Sequence, residues 1–213
     1  MINANHWKTY NKPMSQVLAF LSNAHIVQAI IIGCVFAFLT ASIIMNAVFK
    51  RMTTTVNGWS TTTKCGKPGN SLLERAASAR TLPAINLVEE AAYWTTTRDS
   101  EGHALDGRHN YSLVFPSGQL PPNDAFWSLT LTDVAGYMVN NPIDRYSLGD
   151  RSGLVPNADG SITIYIQTTA ASGHEANWLP SPSGKFKLML RAYLPGRAIL
   201  EGDYLVPPVR RVD

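Results

Sequence analysis

Two polar segments of this chain hold residue types that could do chemistry. Asn140, Asn141, Asp144, Arg145, Asp150 and Arg151 crowd the first. As a loop-borne site, this segment would use Arg145 or Arg151 to pair an anionic or hydroxylated ligand. The competing reading is structural: Asn-Asn-Pro and Gly-Asp-Arg form turns, and the charges pair among themselves. The second segment runs from Thr169 to Pro182 and carries His174, Glu175, Asn177 and Trp178. His174 and Glu175 could serve as acid and base, while Trp178 could stack on a sugar or an apolar ligand. The favoured reading is structural: Trp178 plugs the end of a sandwich beside a solvated histidine. His103 and His109 frame a loop rich in Asp and Gly, but no third ligand stands at a recognisable spacing, which favours solvated loop histidines over a metal site. The chain has no Gly-rich phosphate loop, no Gly-x-Ser-x-Gly elbow and no His-Glu-x-x-His pattern, and its residues call for no cofactor and no metal. The candidate ligand-binding set is therefore Asn141, Arg145, Asp150, Arg151, His174, Glu175 and Trp178.

The elements that would position these residues are strands. Tyr93–Arg98 is rich in Thr and aromatics and is followed by turn chemistry at Asp99–Gly102 and Asp106-Gly107. Tyr111–Phe115 is a second strand. Three further segments alternate strictly: Trp127, Leu129 and Leu131 in Phe126–Thr132; Ile162, Ile164 and Ile166 in Ile162–Thr168; Phe186, Leu188 and Leu190 in Phe186–Tyr193. Shorter strands are expected at Gly136–Val139, Tyr146–Leu148 and Tyr204–Val206. Ser71-Leu-Leu-Glu74 fits a capping box and starts a helix through about Arg80. Thr81-Leu-Pro83 restarts one, with Ile85, Val88 and Ala92 on one face. About eight strands with one apolar face each, and no long crossover helices, predict a mainly β fold. The expected form is an antiparallel, jelly-roll-like β-sandwich, preceded by one transmembrane helix and one or two short helices.

That transmembrane segment is Ile26–Phe49, which is uncharged and is closed by Lys50-Arg51. At the helical rise it covers roughly 36 Å, enough to cross a hydrocarbon core of about 30 Å. A cleaved signal peptide is the alternative, but the run is too long, starts late and offers no clean small-x-small site. The expected organisation is an N-terminal segment at 1–25, the span at 26–49, a stalk at 50–69 and a sandwich domain with leading helices at 70–213. Pro13–Ala24 could form an amphipathic lead-in helix, and Thr53–Lys67 reads as an extended connector. Lys8 and Lys12 precede the span, leaving the rest of the chain with 16 basic residues against 15 acidic ones. These charges are interspersed, so no stripe suited to nucleic acid exists. A naive positive-inside count would hold the C-terminal domain in the cytoplasm, although long domains translocate regardless of local charge. Cys34 lies in the span and Cys65 in the connector, which excludes an intrachain disulfide. A dimer bridged through Cys65, and hence a homo-oligomer, stays open.

Ordered blocks carry a resemblance. They run from Tyr111-Ser-Leu-Val-Phe-Pro-Ser-Gly118 and Leu120-Pro-Pro-Asn-Asp-Ala-Phe-Trp127 through Asn141-Pro-Ile-Asp-Arg-Tyr146, Gly149-Asp-Arg151 and Asp159-Gly-Ser-Ile-Thr-Ile164. Glu175-Ala-Asn-Trp-Leu-Pro180, Leu190-Arg-Ala-Tyr193 and Pro207-Pro-Val-Arg-Arg-Val212 complete the series. Together they resemble the bacterial family called domain of unknown function 1214, over about Trp59 to the C-terminus. The resemblance implies an antiparallel β-sandwich on the periplasmic side of an inner membrane and no particular reaction. In that family the domain often follows a second uncharacterised domain, or sits alone behind one membrane helix, so the resemblance implies that any joint function would require a partner polypeptide carrying the companion domain. Two functions remain. One is a membrane-tethered module binding an envelope ligand or partner protein. The other is a hydrolase-like enzyme acting on a carbohydrate-like or small polar substrate through loops 140–151 and 169–182, which requires both loops to meet at one concave pocket.

Overall fold

The computed structural model describes residues 24–83, 85–170 and 172–213. The chain divides into two compact units, Met1–Ala47 and Val48–Asp213. Helix α1 spans Ala24–Met52, longer at both ends than the apolar run alone, with Lys50 and Arg51 in its last turn where cations suit the helix dipole. Within His25–Met52 an 18-residue window reaches a mean hydropathy of 2.4, and the helix is long and apolar enough to cross a membrane. Ile30, Ile32, Phe36, Phe38 and Ile43 are all exposed along it, and no acidic residue opens it. The lead-in helix expected over Pro13–Ala24 lies outside the described residues but for Ala24.

The larger unit opens with a hairpin where the sequence suggested a connector. Strands β1 (Thr54–Val56) and β2 (Trp59–Thr61) pair with Val56 opposite Trp59. Asn57 and Gly58 between them have φ of 53° and 82°, the pair of positive angles that an Asn-Gly hairpin turn needs. Trp59 is buried at 1% exposure, which ties this hairpin to the core. Cys65, placed by the sequence in the connector and open there to bridging a dimer, is buried too, at 3%. Helix α2 (Leu72–Thr81) has the expected capping box: the Ser71 hydroxyl accepts from Glu74 N, and the Glu74 carboxylate accepts from Ser71 N at 2.7 Å. The second helix expected from Thr81 does not form. Leu82, with φ −131° and ψ 66°, precedes Pro83, whose ring disfavours helical backbone in the residue before it. The helix-like spacing of Val88 and Ala92 instead reflects burial around the start of a strand.

That strand is β3 (Ala91–Thr96). It is followed by β4 (Tyr111–Phe115), β5 (Asn123–Asp133), β6 (Ser147–Gly149), β7 (Ile162–Gln167), β8 (Trp178–Pro180), β9 (Phe186–Pro195), the short helix α3 (Arg197–Glu201) and β10 (Val209–Arg211). The strands form a six-stranded sheet ordered β1-β2-β3-β9-β5-β6 and a four-stranded sheet ordered β10-β4-β7-β8. One register row shows why alternation builds the core: Trp94 lies opposite Leu190, Leu190 opposite Leu129, and Leu129 opposite Leu148. All four side chains are buried, as are Leu113 and Ile164, which pair in the second sheet. Aromatic contacts cross between the sheets, with the Phe115 and Trp127 rings 5.3 Å apart and the Tyr111 and Phe186 rings 5.8 Å apart.

The architecture is thus mainly β and sandwich-like, as expected, and jelly-roll connectivity is not assigned. Four local expectations are corrected. Gly136–Val139 and Tyr204–Val206 are irregular, whereas Val209–Arg211 makes the last strand. The sheets are not wholly antiparallel, because β8, inside a segment expected to be a loop, runs parallel to β7. The expected Tyr146–Leu148 strand is β6, displaced by one residue.

Candidate functional site

The two polar segments meet through Arg145. Its Nη1 donates to the carbonyl oxygens of Glu175 (2.6 Å) and Trp178 (2.9 Å). Asn141 shapes the turn that presents Arg145: its Oδ1 accepts from Arg145 N at 2.9 Å and its Nδ2 donates to Arg145 O at 3.0 Å. On the other segment, Trp178 is buried at 7% exposure and donates its indole N–H to Gln167 O at 2.8 Å. Asn177, 4% exposed, donates to Val155 O and Thr163 O and accepts from Val155 N. The Glu175 carboxylate accepts from Gly173 N at 3.0 Å. Hydrogen bonds from its own backbone and from Gly173 hold its pKa below the ordinary value. Glu175 is therefore ionised at neutral pH and ill placed to act as a general acid. His174 is exposed and lies against the Tyr165 ring, with centroids 4.7 Å apart.

Asp150 and Arg151 stand apart from this junction. Asp150 is exposed in the turn closed by Ser152 N to Gly149 O. Arg151 donates to Ala125 O at 3.1 Å and sits 4.6 Å from the centroid of the Phe126 ring, which itself stacks on Tyr193. Of the seven candidate residues, the structure brings together Asn141, Arg145, Glu175 and Trp178. The concavity nearby, about 260 Å³, is lined by Val155, Asn157, Ala176 and Asn177, and of the seven only His174 reaches it. His103 lies 3.6 Å from Asp99 and His109 lies 3.2 Å from Asp213, so the two histidines serve separate carboxylates. Among the described residues, no cluster of three or more His, Cys, Asp or Glu could hold a metal.

A larger groove, about 530 Å³, lies on the opposite face of the six-stranded sheet from the core. Its floor comes from the outward-facing alternation of β2, β3 and β9: Ser60 lies opposite Thr95, Thr95 opposite Met189, and Tyr93 opposite Arg191. Leu82 and Ile85, beyond α2, form one wall. Phe49, in the last turn of α1, and Thr53, just beyond that helix, close it. Every one of these residues is half-buried. Arg191 donates Nε–H to Met189 Sδ at 3.2 Å, and among the described residues it has no carboxylate partner. Burial pushes the Tyr93 phenol above its ordinary pKa, with Tyr193 raising it further and Arg191 opposing. The phenol is thus protonated, and it donates to Asn86 Oδ1 at 3.2 Å. Sequence reading passed over this groove because it followed the inward half of each alternation. The signal was Met189 and Tyr93, large side chains at positions that should face water.

Residues 90–197 match the family DUF1214, described as a protein of unknown function. The crystal structure of the VPA0106 protein from Vibrio parahaemolyticus is similar to this chain at 31% identity and a TM-score of 0.58, over 68% of this chain and 36% of that one. An uncharacterized protein from Burkholderia cenocepacia is similar at 14% identity and a TM-score of 0.40, over 83% of this chain and 49% of that one. This chain therefore spans about a third and about half of the lengths of those two proteins. No curated protein matches it.

Proposed function

The chain belongs to the DUF1214 family, and from that premise we propose that it is a membrane-anchored binding protein. In this reading α1 is inserted in a bacterial inner membrane, and the β domain on the periplasmic side offers the groove over Arg191 to an envelope ligand. One observation carries the proposal. Arg145 and Asn177, the central polar groups of the two loops, are spent on backbone carbonyls, while Arg191 faces an open groove and has no carboxylate partner among the described residues. Arg145 and Trp178 are then positioning groups that hold one loop on the other. The length and apolarity of α1 support the anchor.

Native mass spectrometry of the full chain, extracted from its own membranes in a mild detergent, tests the reading. Thr95→Trp, which fills the groove floor, is the comparison, with Ser60→Trp as a second filled variant. The expected result is a small bound species carried by the wild type and missing from both filled variants. A species retained equally by all three, or carried by none, refutes the groove as the binding site.

A further inference from the structure

We infer that the ligand of this groove is a single-chain amphiphile with a carboxylate head, a fatty-acid-like molecule whose carboxylate pairs with Arg191. The inference rests on the proposal that the groove is a binding site, and it names the class of ligand. Among the described residues, the groove supplies a single cation. Arg191 spends only Nε–H, on a thioether that is a weak acceptor, which leaves its Nη donors for a ligand. A guanidinium edge matches a carboxylate in two parallel hydrogen bonds, and the single positive charge balances a single negative one. A phosphomonoester would bring close to two negative charges to that one cation.

The remaining surface suits one hydrocarbon chain. Phe49, Leu82 and Ile85 supply apolar wall, and Tyr193 lies on the floor in a stack with Phe126. The volume of about 530 Å³ falls in the range of single-ligand pockets, roughly 300–1,000 Å³. Thr95 adds a hydroxyl opposite Met189 in the next register row, while the Ser60 hydroxyl is paired with Thr55 at 3.0 Å. Among the described residues, no acidic side chain lines the groove to repel such a head.

The experiment uses the full chain in phosphatidylcholine nanodiscs and two photoreactive probes, palmitate with a diazirine near its chain end and the matching primary amide. Crosslinked peptides are mapped by mass spectrometry. The acid probe is expected to label peptides containing Leu82–Tyr93 or Met189. That labelling should fall at least tenfold with the amide probe, and at least tenfold in Arg191→Gln, as loss of a charge-assisted pair predicts. Equal groove labelling by acid and amide on the wild type overturns the carboxylate assignment and leaves the groove as a binding site; this comparison does not depend on a variant that must fold. Equal labelling in Arg191→Gln overturns the role of Arg191. If neither probe labels the groove, the amphiphile is wrong, and the native mass measurement decides separately whether the groove binds anything.

Discussion

Replacing Asn177 by Ala should cost the fold about 2–3 kcal/mol, although the residue lies on a segment whose composition suggests catalysis. The side chain is 4% exposed and makes three hydrogen bonds, to Val155 O at 2.8 Å, from Val155 N at 2.8 Å and to Thr163 O at 2.9 Å. A net intramolecular hydrogen bond is worth about 1 kcal/mol, and a polar group left buried without a partner costs about 1–3 kcal/mol. Val155 is exposed, so water can recover part of its two bonds. Thr163 is buried on β7, and its carbonyl cannot be re-solvated so readily. For a folded unit the size of Val48–Asp213, each kcal/mol moves Tm by about 2–4 °C, so the expected drop is about 4–12 °C. The assay is circular-dichroism melting of the full chain in detergent, paired with urea unfolding, where the midpoint should fall with m unchanged. His174→Ala, at an exposed neighbour, should stay within about 0.5 kcal/mol of wild type. If Asn177→Ala also stays within that margin, the loop is not held by this side chain, and the structural assignment of the segment fails.

Gly149→Ala should destabilise by about 1–3 kcal/mol, because a Cβ there would overlap the Trp127 carbonyl oxygen across the β5–β6 pair; a urea midpoint equal to wild type would contradict this. Acid sensitivity should centre on Asp106, whose carboxyl Arg108 pulls down to about 2 through side-chain and backbone hydrogen bonds. With a folded pKa below the ordinary 3.8, its contribution is complete above about pH 4 and is lost as pH falls through 2. Asp106→Asn should therefore flatten the urea midpoint between pH 4 and pH 2, and an unchanged slope would exclude Asp106 as the source. Ser183→Cys, at an exposed position, should react with an impermeant maleimide on intact spheroplasts if the β domain is periplasmic. Reaction only after lysis would place it in the cytoplasm. The native Cys65 cannot serve this purpose, because its thiol is buried.

The five long strands were legible because burial on one face imposes a period of two, and Trp127, Leu129 and Leu131 or Ile162, Ile164 and Ile166 display it without interruption. The capping box at Ser71 was equally legible, being a local device. The β1–β2 hairpin was missed although Asn57-Gly58 is a strong turn signal, since its Thr-rich flanks alternate too weakly to read as strands. Strand β8 was hidden because Trp-Leu-Pro is short, contains proline, and gains its pairing from a parallel neighbour remote in sequence. The site was the harder part. Arg145 and Glu175 attract notice as charged residues, yet their partners are backbone carbonyls and N–H groups, which residue identities do not reveal. Arg191 falls on the polar half of the Phe186–Tyr193 alternation, and only the fold places Leu82, Ile85 and Phe49 around it.

The most direct test of the central claim is a crystal structure of the full chain purified from its own membranes without delipidation. The claim predicts elongated density along the groove between Leu82 and Tyr193, ending against the guanidinium of Arg191, and none between Arg145 and Glu175. Density at the junction of the two loops beside Glu175 and His174, with the groove over Arg191 bare, would contradict it.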